Sequence, residues 1–267
     1  MDKNSTVKLH TGRKMPVLGL GTWLLEEDTA NTIDYALEIG YRMIDTSGDY
    51  GTQPGIGEGF EKSGIKRQDI YLVTKVEETD NAYDDTKVNL QELKFDYADL
   101  ILIHRPPLLG AGENLWEGLI KAKKEGLVRD IGVSNYSTDL IDKLIETSRE
   151  VPVVNQIEWS PFGHSEQMRK YCDEKGIIIQ AYSPLTRTKR LNDETLIKIA
   201  KKYNKTPAQI LIRWNLQLKT VPLPKANQKS HLKENIDVFD FEINNEDIRL
   251  LNDLNERYSS LGSLPYN

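Results

Sequence analysis

The chain has 267 residues, 38% hydrophobic and 28% charged, enough for one large core and a better fit to a single α/β barrel of about 250 residues than to two small domains. A net charge of −6 and a pI near 5.4 give no general electrostatic support to a nucleic-acid or anionic-membrane partner. No run is long enough to span a bilayer, Met1 to Lys8 lacks the apolar core of a signal peptide, and the one cysteine, Cys172, excludes an internal disulfide, so a cytoplasmic monomer is expected.

Val7-Lys8-Leu9, a polar turn through Gly12 and Met15-Pro16-Val17 predict a small N-terminal β-hairpin. A strand over Leu18 to Trp23 and an amphipathic helix over Asp28 to Ile39, with Ile33, Ala36 and Leu37 on one face, then set a repeating beat of strand and helix. It continues as Tyr41 to Ile44 with Ile56 to Ser63, Ile70 to Thr74 with Thr79 to Leu93, and Leu100 to Ile103 with Asn114 to Glu125. The second half reads Asp130 to Val133 with Thr138 to Thr147, Val153 to Gln156 with Glu166 to Glu174, and Ile177 to Ala181 with Asn192 to Tyr203. The eighth unit is Thr220 to Leu223 with Ser230 to Phe239, preceded by an additional helix over Pro207 to Gln217 with proline in its first turn. Near-continuous apolar strands covered by helices indicate a parallel sheet, and eight strands close one: a (β/α)8 TIM barrel, a single domain over residues 1–267. The polar tail after Asn252, ending in Pro265-Tyr266-Asn267, is expected to form a loop over one barrel mouth.

In such barrels the reactive groups lie at the strand C-termini. The residues there are Asp45 and Tyr50, Lys75, His104, Ser134 and Asn135, Asn155 and Gln156, Tyr182 and Ser183, and Lys225. Asp45 and Tyr50 alone read equally well as a helix cap and an amphipathic surface residue. With Lys75 and His104 they make a proton-donating group. The lysine is expected to lower the phenol's pKa by favouring phenolate, the carboxylate to hold the lysine, and the imidazole to orient a substrate oxygen or assist transfer.

These residues sit in Gly40-Tyr41-Arg42-x-Ile44-Asp45-Thr46, Tyr50-Gly51, Thr74-Lys75, Leu100-Ile101-Leu102-Ile103-His104, Ile131-Gly132-Val133-Ser134-Asn135, Asn155-Gln156-x-Glu158, Ala181-Tyr182-Ser183-Pro184-Leu185 and Pro224-Lys225, where x is any residue. In that order, from about Val7 to Glu256, they resemble the aldo-keto reductase superfamily. The resemblance implies a carbonyl reductase of small-molecule aldehydes, ketones or alcohols, with Tyr50 as general acid and Asp45, Lys75 and His104 completing the tetrad. It implies NADP(H), with NAD(H) as a second cofactor. Ser134, Asn135 and Gln156 would hold the carboxamide, and Tyr182 would stack on the nicotinamide. Lys225 and His231 would lie near the 2′-phosphate, Glu234 and Asn235 near the adenine. Gly21, Thr22, Asp45, Ser183, Leu185, Arg187 and Asn227 also fall in the implied cofactor site, and Trp23, Tyr50, His104 and Arg105 in the substrate pocket.

Several positions depart from the family's pattern. Thr52-Gln53-Pro54-Gly55 replaces a common Asn-Glu and leaves the start of the next helix open; Arg105 stands where an aromatic wall is frequent, either as a fork for an anionic substrate or as the partner of an acidic loop residue. Ala226 replaces a serine or threonine and His231 an arginine, so a weaker preference for NADPH is expected. Gly55-Ile56-Gly57-Glu58-Gly59 lacks the order of a phosphate loop and is read as a flexible turn. The histidines, His10, His104, His164 and His231, show no metal-binding spacing, so no metal is expected. Cys172 reads as a buried bystander, and Thr186 to Arg190 as either a solvated basic face or a belt over a pyrophosphate. Two other classes remain: a cofactor-binding, catalytically slow partner or redox sensor, and a barrel aldolase or isomerase with Lys75 as a Schiff base.

Overall fold

The computed structural model describes residues 1–25, 28–78 and 81–264. Strands β1 (Thr6–Lys8) and β2 (Lys14–Pro16) form the antiparallel hairpin, with Val7 opposite Met15. Gly12 makes its turn at φ +89°, in the left-handed region that favours glycine. Among the described residues eight further strands follow: β3 (Leu20–Gly21), β4 (Met43–Asp45), β5 (Tyr71–Val76), β6 (Ala98–Ile103), β7 (Val128–Ser134), β8 (Val154–Glu158), β9 (Ile178–Tyr182) and β10 (Val221–Pro222). Each pairs in parallel with the next. The seam between β3 and β10 closes by the Gly19 N–H donating to the Pro222 carbonyl and the Gly21 N–H to the Pro224 carbonyl, both at 3.1 Å. A β-carbon on Gly21 would lie 2.9 Å from the Leu223 carbonyl oxygen, which is why the seam needs glycine there.

The ten α-helices of the described residues are α1 (Thr29–Ile39), α2 (Gln53–Ser63), α3 (Ala82–Leu93), α4 (Glu113–Lys124), α5 (Thr138–Ser148), α6 (Glu166–Lys175), α7 (Glu194–Tyr203), α8 (Pro207–Gln217), α9 (Lys229–Ile236) and α10 (Asn245–Asn252). Short polar residues set their starts. The side chains of Asp28, Asn81, Ser137, Ser165, Asp193 and Asn244 each accept a first-turn N–H, and Thr206 forms a reciprocal capping box with Gln209.

Alternation along the strands divides the apolar residues into two cores. Met43, Tyr71, Val73, Leu100, Leu102, Val154 and Val221 point into the barrel and pack on Leu9 and Met15 of the hairpin, which plugs the N-terminal end. Ile44, Leu72, Ile101, Ile103, Ile131, Val133 and Ile157 face the helices. Both faces are therefore buried, and the strands read as unbroken apolar runs. Cys172 lies on the buried face of α6, and burial pushes its thiol up to about 12.

The structure corrects several expectations. Strand β3 is two residues long and β4 begins at Met43, because a parallel ladder forms only where both neighbours are in register. Helix α3 begins at Ala82; Thr79, where it was expected to start, lies outside the described residues, as do Pro265, Tyr266 and Asn267 of the tail. Helix α10 was not foreseen. The segment Gly55 to Gly59 is no flexible turn but the middle of α2, which starts at Gln53 with Pro54 in its first turn. Its glycines let three helices touch: a β-carbon on Gly57 would sit 2.5 Å from the Leu93 carbonyl oxygen of α3, and one on Gly59 2.4 Å from the Ala30 carbonyl oxygen of α1. Because the obstacle is backbone, Gly57→Val is expected to cost about 1–3 kcal/mol by overpacking, read as a lower denaturation midpoint; an unchanged midpoint would refute this account of the interface.

Candidate active site

The strands deliver their polar residues to a cleft of about 640 Å³ at the C-terminal mouth. Asp45 ends β4, and a short 3-10 helix, Gly48–Tyr50, carries the chain over the rim and ends at Gly51 with φ +67°. Lys75, two residues after inward-facing Val73, turns into the barrel and is fully buried. Its Nζ donates to Asp45 Oδ2 at 2.9 Å and to the Thr46 carbonyl at 2.7 Å. Asp45 Oδ1 accepts from Gln156 Nε2 at 2.7 Å, so both carboxylate oxygens are held. Burial pulls the Lys75 ammonium down, but the charges of Asp45 and Tyr50 and their hydrogen bonds outweigh it, and its pKa lies above the ordinary lysine value.

Tyr50 stands over this pair, its ring centroid 5.0 Å from Lys75 Nζ and 5.7 Å from the His104 ring, nearly edge-on at 73°. The expectation that Lys75 lowers this phenol is overturned. Desolvation by burial is the largest influence, Asp45 and Asp49 add to it, and the lysine does not offset them, so Tyr50 is raised. A raised phenol is protonated at neutral pH, the form a proton donor requires.

Opposite Tyr50, β7 and β8 form a polar rack. Ser134 Oγ donates to the Gln156 carbonyl at 2.9 Å, and Asn135 Nδ2 donates to the His104 carbonyl at 3.0 Å. The Tyr182 hydroxyl donates to Asn135 Oδ1 at 2.8 Å, fixing the aromatic ring at the end of β9. Thr22 Oγ1 and N–H both donate to the Asp45 carbonyl, tying the first strand to the second. From here the cleft runs past Gly21, Ser183, Leu185 and Arg187 to Lys225, Asn227 and His231. The Arg187 guanidinium lies 4.2 Å from the Trp23 ring, and its Nε is buried with no hydrogen-bond partner among the described residues. A buried, unsatisfied guanidinium nitrogen on a wall shared with Lys225 and His231 suits a phosphate-bearing ligand. Five side-chain-bearing residues of this wall, Leu24, Asn135, Ser183, Arg187 and Thr188, hold positive φ between 47° and 66°. Such strain gathers where a binding surface fixes the backbone. Glu234 and Asn235 do not line the cleft; Glu234 accepts a hydrogen bond from Thr206, and Asn235 is buried in α9.

Arg105 lines the mouth and is half exposed, but its guanidinium also meets Asp49 at 3.5 Å, Glu77 at 3.8 Å and Glu78 at 3.7 Å. Asp49, Glu77 and His104 bring donor atoms of the metal-binding type within 4.8 Å of one another, with the two carboxylates already engaged by Arg105 and the imidazole.

Sequence reasoning assigned no role to three contributors. Glu77 and Ser47 contact the His104 ring, and both are short polar steps beyond a strand end, the position that pointed to the others. Glu158 on β8 accepts from the Ser259 hydroxyl at 2.6 Å and the Ser260 N–H at 2.7 Å. This pins the C-terminal segment so that Leu261 reaches the cleft; no local pattern announces a contact across a hundred residues.

Comparison with known proteins agrees with barrel and site. The aldo/keto reductase family profile matches residues 17–256, and the chain belongs to that family of oxidoreductases. It is 37% identical over 257 residues to glyoxal reductase of Bacillus subtilis (strain 168), covering 94% of this chain and 93% of that one. It is 38% identical over 259 residues to the 9,11-endoperoxide prostaglandin H2 reductase of Trypanosoma cruzi (strain CL Brener), covering 94% and 91%. Among solved structures it matches an aldo/keto reductase from Brucella melitensis with TM-score 0.89, 39% identity and coverage of 94% and 99%. It also matches a Bombyx mori aldo-keto reductase in complex with NADP, with TM-score 0.91, 29% identity and coverage of 97% and 95%. Among the described residues, no helix is long and apolar enough to cross a membrane.

Proposed function

We propose that this chain is an NADP(H)-dependent carbonyl reductase of small aldehydes or ketones, with Tyr50 as the general acid. The observation that carries this is the stacked arrangement of Asp45, Lys75, Tyr50 and His104 at one mouth. Bound in the cleft, the reduced nicotinamide supplies a hydride to the carbonyl carbon. Ser134, Asn135 and Gln156 orient the carboxamide, Tyr182 offers its ring face, and Arg187, Lys225 and His231 meet the phosphates. As the carbonyl oxygen gains charge, Tyr50 transfers its phenolic proton to it, yielding the alcohol. Lys75 stabilises the phenolate left behind, and Asp45 keeps Lys75 in place. His104 borders the same oxygen. Trp23 and Leu261 line the opening.

Incubating the protein with NADPH and a panel of aldehydes while following the loss of reduced-nicotinamide absorbance tests this directly. Tight cofactor binding with no turnover of any carbonyl would refute it and favour a cofactor-binding sensor. Arg105, which balances three carboxylates at the rim, is expected to matter modestly. Arg105→Leu should lower kcat/KM for 4-carboxybenzaldehyde relative to benzaldehyde by up to about fivefold, the scale of an exposed charge pair. An unchanged ratio would show that substrates do not feel its charge. His231→Arg is expected to tighten NADPH by about three- to tenfold and leave NADH nearly unchanged, because a fixed guanidinium grips a 2′-phosphate better than an imidazole. Fluorescence titration of both cofactors measures it, and equal effects on both would place His231 away from that phosphate.

A further inference from the structure

Asn89 shares the buried face of α3 with Thr86, Leu90 and Leu93 and is 4% exposed. An amide held there must find its partners inside the protein. One partner is the backbone of β5. The Thr46 N–H donates to the Val73 carbonyl at 2.9 Å, closing the β4–β5 ladder, and the chain then leaves for the 3-10 helix Gly48–Tyr50. Carbonyls alternate sides along a strand, so the Lys75 carbonyl faces the edge that β4 has vacated. Asn89 Nδ2 donates to it at 2.8 Å and stands in for the departed strand. A carbonyl only accepts, which assigns the amide: Nδ2 faces Lys75, and Oδ1 points the other way. Oδ1 accepts from Gln53 Nε2 at 3.1 Å. Gln53 is itself held, accepting from the Thr74 hydroxyl at 2.7 Å and donating to Glu92 Oε2 at 2.7 Å. The same Oδ1 lies against Gly48, the first residue of the turn that carries Tyr50: a β-carbon on Gly48 would sit 2.6 Å from it. Hydrogen bonds at both ends of the amide keep that oxygen from swinging aside. Gly48 is outside the left-handed region, so the contact and not the backbone is what requires glycine.

We propose that Asn89 is a positioning residue that sets the spacing of Tyr50 and Lys75, gripping the backbone of one with its amide nitrogen and bearing the turn of the other on its amide oxygen. This rests on the reductase proposed above, in which Lys75 stabilises the phenolate left when Tyr50 has given up its proton. Lys75 Nζ stands 5.0 Å from the Tyr50 ring centroid, and both side chains stem from segments that meet this one amide. Asp45 and the Thr46 carbonyl hold the tip of the lysine; Asn89 holds its root. Stabilisation of developing charge depends steeply on such spacing, and a displacement of about 1 Å caused by a change outside the reacting groups can cost about 10²-fold in rate. Asn89 does not line the cleft, so the affinities for cofactor and substrate are expected to be spared.

Mixing the enzyme–NADPH complex with a reducible aldehyde in a single turnover reads the chemical step apart from product release, while KM and NADPH titration read binding. Asn89→Ala is expected to lower the single-turnover rate and kcat by about 10- to 100-fold, with KM for the aldehyde and Kd for NADPH within about twofold of the wild type. Asn89→Leu, which keeps the volume and has no amide, is expected to do no better than alanine. Gly48→Ala leaves Asn89 in place and pushes the turn of Tyr50 off it, so a loss of similar size is expected. In the double variant Gly48→Ala with Asn89→Ala the new methyl takes space the amide has left, and the rate is expected to be no lower than in Asn89→Ala alone. Circular dichroism and NADPH titration show which variants are folded; if those at Asn89 are not, Gly48→Ala against the wild type decides. A wild-type rate in Asn89→Ala or Gly48→Ala, a loss confined to KM or Kd, or losses that multiply in the double variant would overturn the role of Asn89 and leave the reductase intact. A wild type that reduces no aldehyde in the panel would overturn the reductase and this role with it.

Discussion

Replacing Tyr50 with phenylalanine is expected to lower carbonyl reduction by about 10²- to 10⁴-fold while cofactor affinity stays within about twofold of the wild type. The change deletes one hydroxyl and keeps the ring, so the wall of the cleft and the contacts with Lys75 and His104 survive. What is lost is the proton that must reach the oxygen as hydride arrives at carbon. Because burial and the carboxylates outweigh Lys75, that proton is in place at neutral pH and not shared out as phenolate. Steady-state kinetics with and without the hydroxyl, alongside fluorescence titration of the cofactor, separate chemistry from binding. Full turnover in Tyr50→Phe would end the general-acid assignment, and a loss confined to KM would make Tyr50 a binding residue only.

Much of this architecture was legible because it rests on local pattern. Unbroken apolar runs followed by amphipathic runs announced buried strands and covering helices, and eight of them closed the barrel. The same rule that puts chemistry at strand ends picks out Asp45, Lys75, Gln156 and Tyr182, and the structure brings all four to one cleft or directly beneath it. What stayed hidden depends on distant contacts. Gly55 to Gly59 looked like a turn because glycine disfavours helix, yet backbone oxygens of α1 and α3 leave room for nothing larger. The direction of the Tyr50 shift could not be read from charges alone, since desolvation exceeds the lysine's pull and only folding sets the desolvation. Arg105 offered two readings of similar merit until Asp49, Glu77 and Glu78 were found around it. Glu77 itself was passed over because nothing in its neighbourhood reveals that an imidazole from the next strand will be 2.7 Å away.

Lys75→Met is expected to remove about 3–5 kcal/mol of stability and most of the activity, and the two losses should separate in a double variant. The lysine has no exposed side-chain surface and donates to Asp45 and to the Thr46 carbonyl, so its removal strands a buried carboxylate with Gln156 as its remaining side-chain donor. Breaking a buried pair from one side carries that cost, whereas replacing both partners with neutral groups is far milder. Lys75→Met with Asp45→Asn should therefore recover much of the unfolding free energy and none of the turnover, because Tyr50 still lacks the cation that stabilises its phenolate. The pH dependence has a definite sign. Lys75 is raised in the folded state, so its contribution is fully present below the unfolded lysine pKa, about 10.4, and is lost as pH climbs through the folded value. Denaturant unfolding at pH 6, 7 and 9 should show a constant gap between wild type and Lys75→Met that narrows only in stronger alkali. A gap that closes between pH 6 and 9, or a double variant no more stable than the single one, would show that the Asp45–Lys75 pair does not hold this end of the barrel together.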